Sequence, residues 1–573
     1  MQKIPYGISD FSAITKEGYY FVDRTDYITR LESLGEKYIF FLRPRRFGKS
    51  LWISILQYYY GMEYKKQFKE LFGKYYIGRQ PSPRANSYLV LHLEYSRIDT
   101  SSPENTYKGF LKNTLNGVES FLDTYQDQFS TRVVKEILRQ ESPENVLKEL
   151  FTATGKLNQQ IYFLVDEYDH FANELVSFRL PDFQSFVTQN GFVRKFYETV
   201  KTATGKGIVD RIFITGVSPL TLDSLTSGFN IGSNLSLDSD FQEMMGFREE
   251  EVAELMLEVG VEEEKLPEVM ENVRNWYNGY HFSISSPNDS DSLYNPDMIL
   301  YFAKHFQRHK RAPEQQLDPN ISSDYSKIQS LFRLGNRESK QVGFLEQLLE
   351  GKPVLAELTR QFSFERPFLQ DDLISLLFYM GLLTIKGTDL GIPLFVIPNE
   401  SIRRLYYQYF HALLQTHSES LPQPVDIRKA VLSMAKENKP HELFELVSKT
   451  LEEISNRDWI RFDEKYVKLI VISYLYITQL YYIKSEYESK QKFVDLLLLR
   501  RPPFQAPYQF AIELKYLKKE QASLLSQKIE EGRTQLQNYL QHEELQNMET
   551  LSAWLIVFVG AKLMHIEAVR PVV

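Results

Sequence analysis

The chain has 573 residues, well beyond the roughly 250 at which a single hydrophobic core stops growing, so the sequence predicts several domains. Hydrophobic residues make up 43% of it and the net charge is −8, which excludes an intrinsically disordered chain and argues against a broadly basic nucleic-acid coat, although not against a local basic groove. There is no cysteine, so disulfides and thiolate metal sites are excluded and every metal ligand must be an oxygen or an imidazole nitrogen.

A strand, a turn and a helix follow one another near the N-terminus. The apolar run YIFFL at residues 38–42 has the length of a buried strand and stops at a turn that contains Pro44 and Gly48. The pattern after it predicts a helix over residues 51–60. A strand that leads through a glycine-containing loop into a helix is the context of a phosphate-binding loop.

The residues Gly48, Lys49 and Ser50 supply the chemistry of such a loop. Backbone N–H groups at the helix start hold the phosphates, the lysine reaches the β and γ oxygens, and the serine hydroxyl binds Mg²⁺. We expect Lys49 to face solvent and the phosphates. The usual pattern would place a glycine at position 43, where this chain has Arg43, and two more arginines lie inside the loop, Arg45 and Arg46.

Two carboxylates end the next strong strand pattern. The apolar run at residues 161–165 leads directly into Asp166 and Glu167, as expected of a buried parallel strand that delivers acids to its C-terminal edge. One acid can hold the Mg²⁺ that bridges the phosphates, and its neighbour can orient and deprotonate the attacking water. For Asp169 and His170, which follow, a solvated turn that caps the next helix is the favoured interpretation.

A further strand, predicted over residues 211–216, ends at the hydroxyl of Thr215. A polar residue there can sense the γ-phosphate, and ordinary strand termination is the alternative. Another strand is predicted at residues 88–93, with helices over 104–125 and 132–154. Alternating strands and helices predict an α/β sheet with its polar strand ends along one edge.

The middle of the chain is less explicit. Residues 220–240 and 285–292 are predicted loops, and the aromatic turn at residues 276–282 is interpreted as a hydrophobic plug rather than a base-stacking platform. A helix at residues 371–380 followed by two short strands at 381–385 and 394–397 predicts a winged-helix module, which can bind DNA or pack between domains. The longest apolar stretch, residues 469–483, is shorter than the roughly 20 residues of a membrane span. Together with a start that lacks a signal-peptide pattern, it predicts a buried helix in a cytoplasmic protein.

The last segment carries a second constellation. A strand predicted at residues 493–499 holds Asp495 near its start, and a strand at residues 508–515 ends in Glu513 and Lys515. Alternate residues share a face of a strand, so Glu513 and Lys515 point the same way and Asp495 can approach that face in a hairpin. Two carboxylates suit Mg²⁺, and a lysine beside them can orient or activate water that attacks a phosphodiester. Weaker candidates are Glu464, for which an exposed helix-end carboxylate is the favoured interpretation, and Gln535.

Several motifs resemble a known family. The segments IPYGISDF, YFVDRTDYI, FLRPRRFGKSL, FLVDEYD, FITGVSPLTLDSLTSGFNI, WYNGYHF and LYNPD are similar to those of bacterial AAA-ATPase-like proteins, which commonly carry a C-terminal PD-(D/E)xK nuclease domain. RPRRFGKS is that family's phosphate loop, Arg43 included.

The resemblance implies roles for individual positions. Asp166 would hold Mg²⁺, Glu167 would activate water and Thr215 would sense the nucleotide. Nucleotide contacts are implied at five positions: Arg45, Arg46, Gly48, Lys49 and Ser50. In the nuclease domain the implied residues are Asp495, Glu513 and Lys515, with Glu464 and Gln535 aligned less securely. The family's glycine-arginine approach to the aspartate is replaced by QKFV at residues 491–494, which puts DNA handling near the site in doubt.

The predicted fold is α/β: a P-loop domain at residues 1–225, a helical lid at 226–330, a helical or winged-helix linker at 331–440 and a restriction-endonuclease-like domain at 441–573. The leading hypothesis is an ATPase coupled to a Mg²⁺-dependent nuclease that acts on DNA, in defence or mobile-element biology. It implies ATP and Mg²⁺ as cofactors, DNA as the partner and no membrane, and it is compatible with a homo-oligomer. The alternatives are a nucleotide-gated switch or DNA-binding scaffold with an inactive nuclease-like domain, and a protein-protein signalling ATPase without nucleic acid.

Overall fold

The protein is described from a computed structural model, which covers residues 2–178, 186, 191–220, 231–284, 292–319, 331–332, 338–362, 368–417, 420–454, 463–489 and 492–570. Contacts divide the chain into two compact units. The first comprises residues 1–310, 330–336 and 353–400, and the second comprises residues 311–329, 337–352 and 401–573. Two predicted loops lie partly outside the described residues: residues 221–230 of the first and residues 285–291 of the second. Gln491 of the QKFV segment also lies outside them. The boundaries of the four predicted domains stay a prediction.

The secondary structure of the described residues combines helices and strands. The helices are α1 (Phe11–Glu17), α2 (Asp26–Ser33), α3 (Lys49–Tyr60), α4 (Phe68–Phe72), α5 (Tyr76–Arg79), α6 (Pro103–Thr124), α7 (Thr131–Leu138), α8 (Pro143–Thr154), α9 (His170–Phe178), α10 (Phe192–Gly205), α11 (Glu249–Glu258), α12 (Leu266–Tyr277), α13 (Pro296–His309), α14 (Glu338–Leu349), α15 (Gln370–Tyr379), α16 (Glu400–His417), α17 (Pro424–Glu437), α18 (His441–Ile454), α19 (Glu464–Leu475), α20 (Leu525–Leu540) and α21 (Glu543–Gln546). The strands are β1 (Tyr38–Leu42), β2 (Leu89–Glu94), β3 (Ile161–Asp166), β4 (Val209–Gly216), β5 (Ser233–Asn234), β6 (Val354–Leu355), β7 (Thr384–Asp389), β8 (Ile392–Val396), β9 (Tyr481–Ser489), β10 (Lys492–Arg500), β11 (Gln509–Leu517), β12 (Leu551–Val559) and β13 (Lys562–Val569).

The first unit is built on a five-stranded parallel sheet in the order β2-β3-β4-β1-β5. Strands β1 and β3 are almost entirely buried, as expected of strands covered on both faces. Because all five strands are parallel, their C-terminal ends meet at one edge. The α/β fold class predicted from the sequence is confirmed, and β4 separates the strand of the phosphate loop from the strand that ends in Asp166.

The helix predicted over residues 132–154 is two helices, α7 and α8. The break falls at Ser142 and Pro143: the Ser142 side chain accepts a hydrogen bond from the Asn145 backbone N–H, and the proline occupies the first turn of α8. Serine followed by proline is a helix-start signal. The helical spacing of apolar residues continues across the break, so the pattern predicted one helix instead of two.

A small helix-and-hairpin module closes the first unit. Helix α15 leads into strand β7, which pairs antiparallel with β8, and β6 adds a short third strand. The helix and the hairpin predicted for the winged-helix module are thus present. At the tip of the hairpin Leu390 adopts a positive φ of 49° and is fully exposed.

The second unit is built on a mixed five-stranded sheet in the order β13-β12-β11-β10-β9. Strands β11 and β12 are parallel and the other neighbours are antiparallel. The single helix predicted over residues 469–483 is wrong in its second half, because α19 ends at Leu475 and β9 begins at Tyr481. No helix within the described ranges is both long and apolar enough to cross a membrane.

Candidate active sites

The phosphate loop lies between β1 and α3, as predicted. Gly48 precedes the helix with φ of 93°, a left-handed conformation that favours glycine. Lys49 is buried, and its Nζ donates a hydrogen bond to the Pro44 carbonyl at 2.9 Å. The prediction that Lys49 faces solvent is therefore wrong: the ammonium folds back into its own loop, where a carbonyl satisfies it. Burial lowers the pKa of Lys49, while the nearby charges of Glu167 and Asp166 act to raise it.

Asp166 stands beside the start of α3. It is buried, it forms a side-chain hydrogen bond with Ser50, and its Oδ1 accepts the backbone N–H of Glu167 at 2.9 Å. Burial raises the pKa of Asp166, and the contacts with Ser50 and Lys49 oppose that shift. A serine hydroxyl and an aspartate in contact are oxygen ligands of the kind that a nucleotide-bound Mg²⁺ prefers, so these residues fit that ion.

Glu167 follows in a left-handed conformation with φ of 51°, unusual for a residue other than glycine. Burial raises the pKa of its half-buried carboxyl, and the charges of His170 and Lys49 oppose the shift. The structure therefore brings Lys49, Ser50, Asp166 and Glu167 together at one edge of the sheet.

A third carboxylate, Glu94, lies at the same edge and was missed from the sequence. It ends β2 directly opposite Asp166 in the strand register, and its charge acts to raise the pKa of Asp166. The prediction placed the end of this strand at residue 93. The available signal was an acid that directly follows an apolar run, which is the same signal that identified Asp166.

Asp169 is not part of a solvated turn, and that interpretation is wrong. The side chain is 1% exposed and accepts the backbone N–H groups of Val217 (3.0 Å) and Ser218 (2.7 Å), with further bonds from the Ser218 hydroxyl and the Asn173 amide. Asp169 therefore ties the end of β3 to the end of β4, which no local pattern could indicate.

Thr215 lies in that same strand end. Its hydroxyl is buried and donates to the Phe41 carbonyl of β1 at 2.7 Å, so sensing a phosphate would require exchanging this bond. Its sensor role stays a prediction.

Arg43, at the position of the missing glycine, is fully buried. Its Nη1 donates to the carbonyls of Leu42 (2.9 Å) and Ser236 (2.7 Å), and its Nη2 donates to those of Phe241 and Gln242 (both 3.2 Å). The rings of Phe41 and Phe282 lie 4.2 and 4.3 Å from the guanidinium carbon. Burial lowers the pKa of Arg43 to about 9, so the group remains charged at neutral pH. Arg43 thus joins the loop to residues 236–242.

We expect Arg43→Gly, which would restore the usual glycine, to lower the free energy of unfolding by about 2–4 kcal/mol, because four buried carbonyls lose their donor. Arg45→Ala, two positions further along the same loop at a part-exposed site, is the matched variant and should cost much less. Urea unfolding of both variants measures the difference. Equal stability of the two variants would contradict a structural role for Arg43.

Arg46, another arginine of the loop, forms an ion pair with a helix. Arg46 has φ of 66° and pairs through Nη1 with Asp297 of α13 at 3.0 Å. A nucleotide contact from Arg46 would replace or share that ion pair. The predicted contacts of Arg45 and Arg46 with nucleotide stay predictions.

The aromatic turn packs against the phosphate loop. The ring of Phe47 lies 5.1 Å from that of Tyr280 and 5.3 Å from that of Phe282. Gly381 allows Pro44 to approach so closely that a Cβ at position 381 would lie 2.7 Å from the proline side chain. The turn and the helix-and-hairpin module therefore both pack against the phosphate loop, in line with the predicted hydrophobic plug.

The second centre lies on β10 and β11. Glu513 and Lys515 share a face as predicted, with Lys515 Nζ 2.8 Å from Glu513 Oε1, and both are buried. Asp495 Oδ2 accepts the backbone N–H of Leu514 at 2.8 Å, which brings this acid to the same hairpin. The other oxygen of Glu513, Oε2, is buried and has no hydrogen-bond partner among the described residues.

The electrostatics of this centre are strongly coupled. Burial, followed by the charge of Asp495, raises the pKa of Glu513 to about 7 against the opposing effect of Lys515. Burial acts to lower the pKa of Lys515, but the negative charges of Glu513, Glu464 and Asp495 together outweigh it and the pKa is raised. Lys515 is therefore a cation at neutral pH, able to orient water or stabilise developing charge, but not to accept a proton.

Glu464 joins this centre from the first turn of α19. Burial and the charge of Asp495 raise its pKa, while Lys515 lowers it, so the three groups are close neighbours. The exposed helix end favoured from the sequence is wrong, because Glu464 is half-buried. Helix α20 covers the lysine, since a Cβ on Gly532 would lie 3.3 Å from Lys515 Cγ. Gln535 lies one turn further along α20, and its buried Oε1 lacks a partner within the described ranges.

The fit to a metal ion can be tested on these oxygens. No group of three or more His, Asp or Glu side chains placed to hold a metal occurs in the part of the chain that the structure describes. Mg²⁺ does not need one, because it is commonly held by one or two carboxylates and completes its shell with water and phosphate oxygens. Asp495 and the unpartnered Oε2 of Glu513 therefore fit such an ion.

Comparison with known proteins identifies the domains. Residues 5–226 match the family described as predicted AAA-ATPase, and residues 462–568 match the PD-(D/E)XK nuclease superfamily. The chain thus contains an AAA-ATPase-like domain followed by a nuclease-superfamily domain, which confirms the architecture that the sequence motifs indicated.

Individual relatives are distant. The uncharacterized protein in the vnfD 5′ region of Azotobacter chroococcum mcd 1 is 27% identical over 310 residues, 53% of this chain and 52% of that protein, so the match spans about half the length of the relative. Among solved structures, the Walker-type ATPase of Pyrococcus abyssi is 14% identical with a TM-score of 0.41, and the alignment covers 67% of this chain and 96% of that one. Cdc6p of Pyrobaculum aerophilum is 10% identical with a TM-score of 0.25, covering 68% and 94%.

Proposed function

From a chain that joins an AAA-ATPase-like domain to a nuclease-superfamily domain, we propose an ATP-hydrolysing protein coupled to a Mg²⁺-dependent nuclease that acts on DNA, in defence or mobile-element biology. The observation that carries the proposal is the second centre, where a buried lysine pairs with a buried glutamate beside a second carboxylate. Burying charged groups costs free energy even when they are paired. Carboxylates with perturbed pKa values cluster at functional sites, which favours a functional role for this centre.

In the ATPase site, Lys49 and the helix start would bind the phosphates, with Ser50 and Asp166 holding Mg²⁺. The bound ion would offset the negative charge of the phosphates. Lys49 would leave the Pro44 carbonyl to do so. Glu167 would orient the attacking water and accept its proton, a role for which a raised pKa is suited.

In the nuclease site, Asp495 and Glu513 would hold Mg²⁺ and Lys515 would direct water at the scissile phosphodiester. When bound, the ion would supply Lewis-acid activation of the phosphate. The cationic ammonium of Lys515 stabilises negative charge that develops on the phosphate oxygens. Glu464 adds a negative charge that helps to keep Lys515 protonated.

The alternative is a nucleotide-gated switch or DNA-binding scaffold whose nuclease-like domain is inactive. It is favoured by one observation, the sequence QKFV at residues 491–494 where the family that the chain resembles has a glycine-arginine approach to the aspartate.

The test is cleavage of supercoiled and single-stranded DNA by the full chain with Mg²⁺, Mn²⁺ or EDTA, each with and without ATP. The proposal expects cutting that requires the metal and changes with ATP. ATP hydrolysis without cutting under any condition would support the switch instead. Failure of the chain to bind DNA at any salt concentration would favour the signalling ATPase.

We expect Glu167→Gln to bind ATP but to hydrolyse it about 10²–10⁴ times more slowly, because glutamine keeps the shape and loses the base. Single-turnover hydrolysis alongside binding of a fluorescent ATP analogue measures the two effects separately. Glu174→Gln, on the helix that follows, is the control. Normal turnover in Glu167→Gln would remove Glu167 from the role of base.

Metal binding at the nuclease centre should depend on pH through Glu513. The folded-state pKa of about 7 lies above the ordinary value of 4.5, so the protonated form stabilises the fold below that ordinary value. This stabilisation is lost as the pH rises through about 7. Because a metal competes with that proton, the apparent affinity for Mn²⁺ should rise with pH and level off above about 7. Calorimetric titration with Mn²⁺ from about pH 5 to about pH 8 measures the slope, which should flatten in Glu513→Gln. A native profile without slope would contradict the proposed role of Glu513.

A further inference from the structure

One ion pair joins the phosphate loop to the start of α13. Nη1 of Arg46 donates to Asp297 Oδ2 at 3.0 Å, and the two side chains are 32% and 14% exposed. Arg46 lies two positions before Gly48, so this guanidinium belongs to the loop that would hold the nucleotide phosphates. The pair therefore joins a phosphate-binding element to a carboxylate of the protein itself.

Asp297 is held firmly in its position. It follows Pro296 in the first turn of α13, and the Asn295 side chain caps the helix by accepting the backbone N–H groups of Asp297 (3.1 Å) and Met298 (3.4 Å). Asn295 has no exposed surface, and its own backbone N–H donates to the Tyr277 carbonyl at 3.3 Å. The LYNPD segment thus presents the carboxylate at a fixed point.

The aromatic turn at residues 276–282 also fixes the backbone around Arg46. The rings of Tyr280 and Phe282 pack on Phe47, the residue after Arg46. Arg46 has a left-handed backbone with φ of 66°, which is unfavourable for a residue with a side chain and persists only where the surrounding structure enforces it. The loop and the start of α13 are therefore built on one support, which makes their ion pair a feature of the fold.

The charges around Arg46 set a carboxylate against a phosphate. A phosphate that bound Arg46 beside Asp297 would face the carboxylate, and two negative charges at that separation repel each other. The positive end of the α13 dipole attracts Asp297 and repels the guanidinium. Arg46 is therefore drawn to this helix by the charge of Asp297, and removing that charge would favour its release.

We propose that Asp297 is a positioning residue of the ATPase site, which holds Arg46 and competes with nucleotide phosphate for its guanidinium. Nucleotide binding exchanges the ion pair for a contact between Arg46 and a phosphate, so the carboxylate lowers the affinity for ATP. The proposal rests on the ATP-binding part of the proposed function and does not depend on the nuclease.

The test measures the affinity of the full chain for a fluorescent, non-hydrolysable ATP analogue with Mg²⁺. We expect Asp297→Asn to bind the analogue about three- to tenfold more tightly, because phosphate no longer has to displace a carboxylate. Arg46→Gln should bind it about tenfold more weakly, since a charged contact is lost.

Glu104→Gln is the matched control. Glu104 also follows a proline in the first turn of a helix, α6, and also pairs with a cation, Lys108. The control therefore loses the same kind of ion pair and helix-end charge outside the phosphate loop, and its affinity should equal that of the native chain.

The double variant separates competition from a general effect of charge. Competition requires the guanidinium, so adding Asp297→Asn to Arg46→Gln should change the affinity by less than about twofold. The same tightening in both backgrounds would show that Asp297 acts on the nucleotide through its field alone, and this would overturn the proposal.

Unchanged or weaker binding by Asp297→Asn would also overturn it, because Asp297 would then not oppose the nucleotide. Should Asp297→Asn fail to fold, native affinity in Arg46→Gln would overturn the proposal by removing Arg46 from the phosphate contact. A native chain that does not bind the analogue would refute the proposed ATP site together with this proposal. Native binding that Asp297→Asn leaves unchanged would refute the competition alone.

Discussion

Lys49→Ala is expected to lower ATP hydrolysis by about 10²–10³-fold. The substitution removes the ammonium group that, among the described residues, lies inside the phosphate loop. The effect should fall on ATP binding as well as on turnover, since the charge meets the β and γ oxygens in the ground state and the transition state. The measurement is steady-state phosphate release together with the affinity for a fluorescent ATP analogue.

Stability distinguishes a chemical effect of Lys49 from a structural one. The side chain is buried and bonded to the Pro44 carbonyl, so alanine removes both a desolvated charge and one hydrogen bond, two terms of opposite sign. We therefore expect a melting temperature close to that of the native chain. Lys65→Ala, an exposed lysine just after α3, should change neither activity nor melting. Native ATPase rates in Lys49→Ala would refute the phosphate-loop assignment.

Lys515→Ala is expected to reduce metal-dependent DNA cleavage by about 10²–10³-fold. Two effects combine here. The cation that would stabilise the developing phosphate charge is lost, and Glu513 loses the charge that opposes the rise in its pKa, so its pKa should climb above about 7. At neutral pH a larger share of Glu513 would be protonated, and metal binding should weaken at the same time.

Lys515→Met separates charge from packing. Methionine retains an unbranched stem against Gly532 of α20, which approaches the lysine Cγ closely, and it lacks the ammonium. We expect the same loss of cleavage with less loss of stability than in the alanine variant. Lys518→Ala, exposed three positions further on, is the control. The assay is cutting of supercoiled DNA with Mn²⁺ across pH. Full cleavage by Lys515→Met would exclude the lysine from the reaction.

Local pattern was sufficient for many of the elements and for the placement of several candidate site residues. Strands β1, β3 and β11, the loop at Gly48–Ser50 and the pairing of Glu513 with Lys515 all follow from apolar runs, glycine and a two-residue period, because a strand and its alternating faces are properties of a few consecutive residues. The parallel sheet follows from the alternation of strands and helices.

The tertiary structure decided what depends on residues far apart in the chain. Arg43 is a structural link because residues 236–242 supply its carbonyls, and Asp169 joins two strand ends because Val217 and Ser218 come to it. Glu94 reaches Asp166 only through strand register. In each case the deciding partner is tens to almost two hundred positions away in the chain. The free energy of burying a polar or charged group depends on such distant neighbours, and a local sequence pattern does not report it.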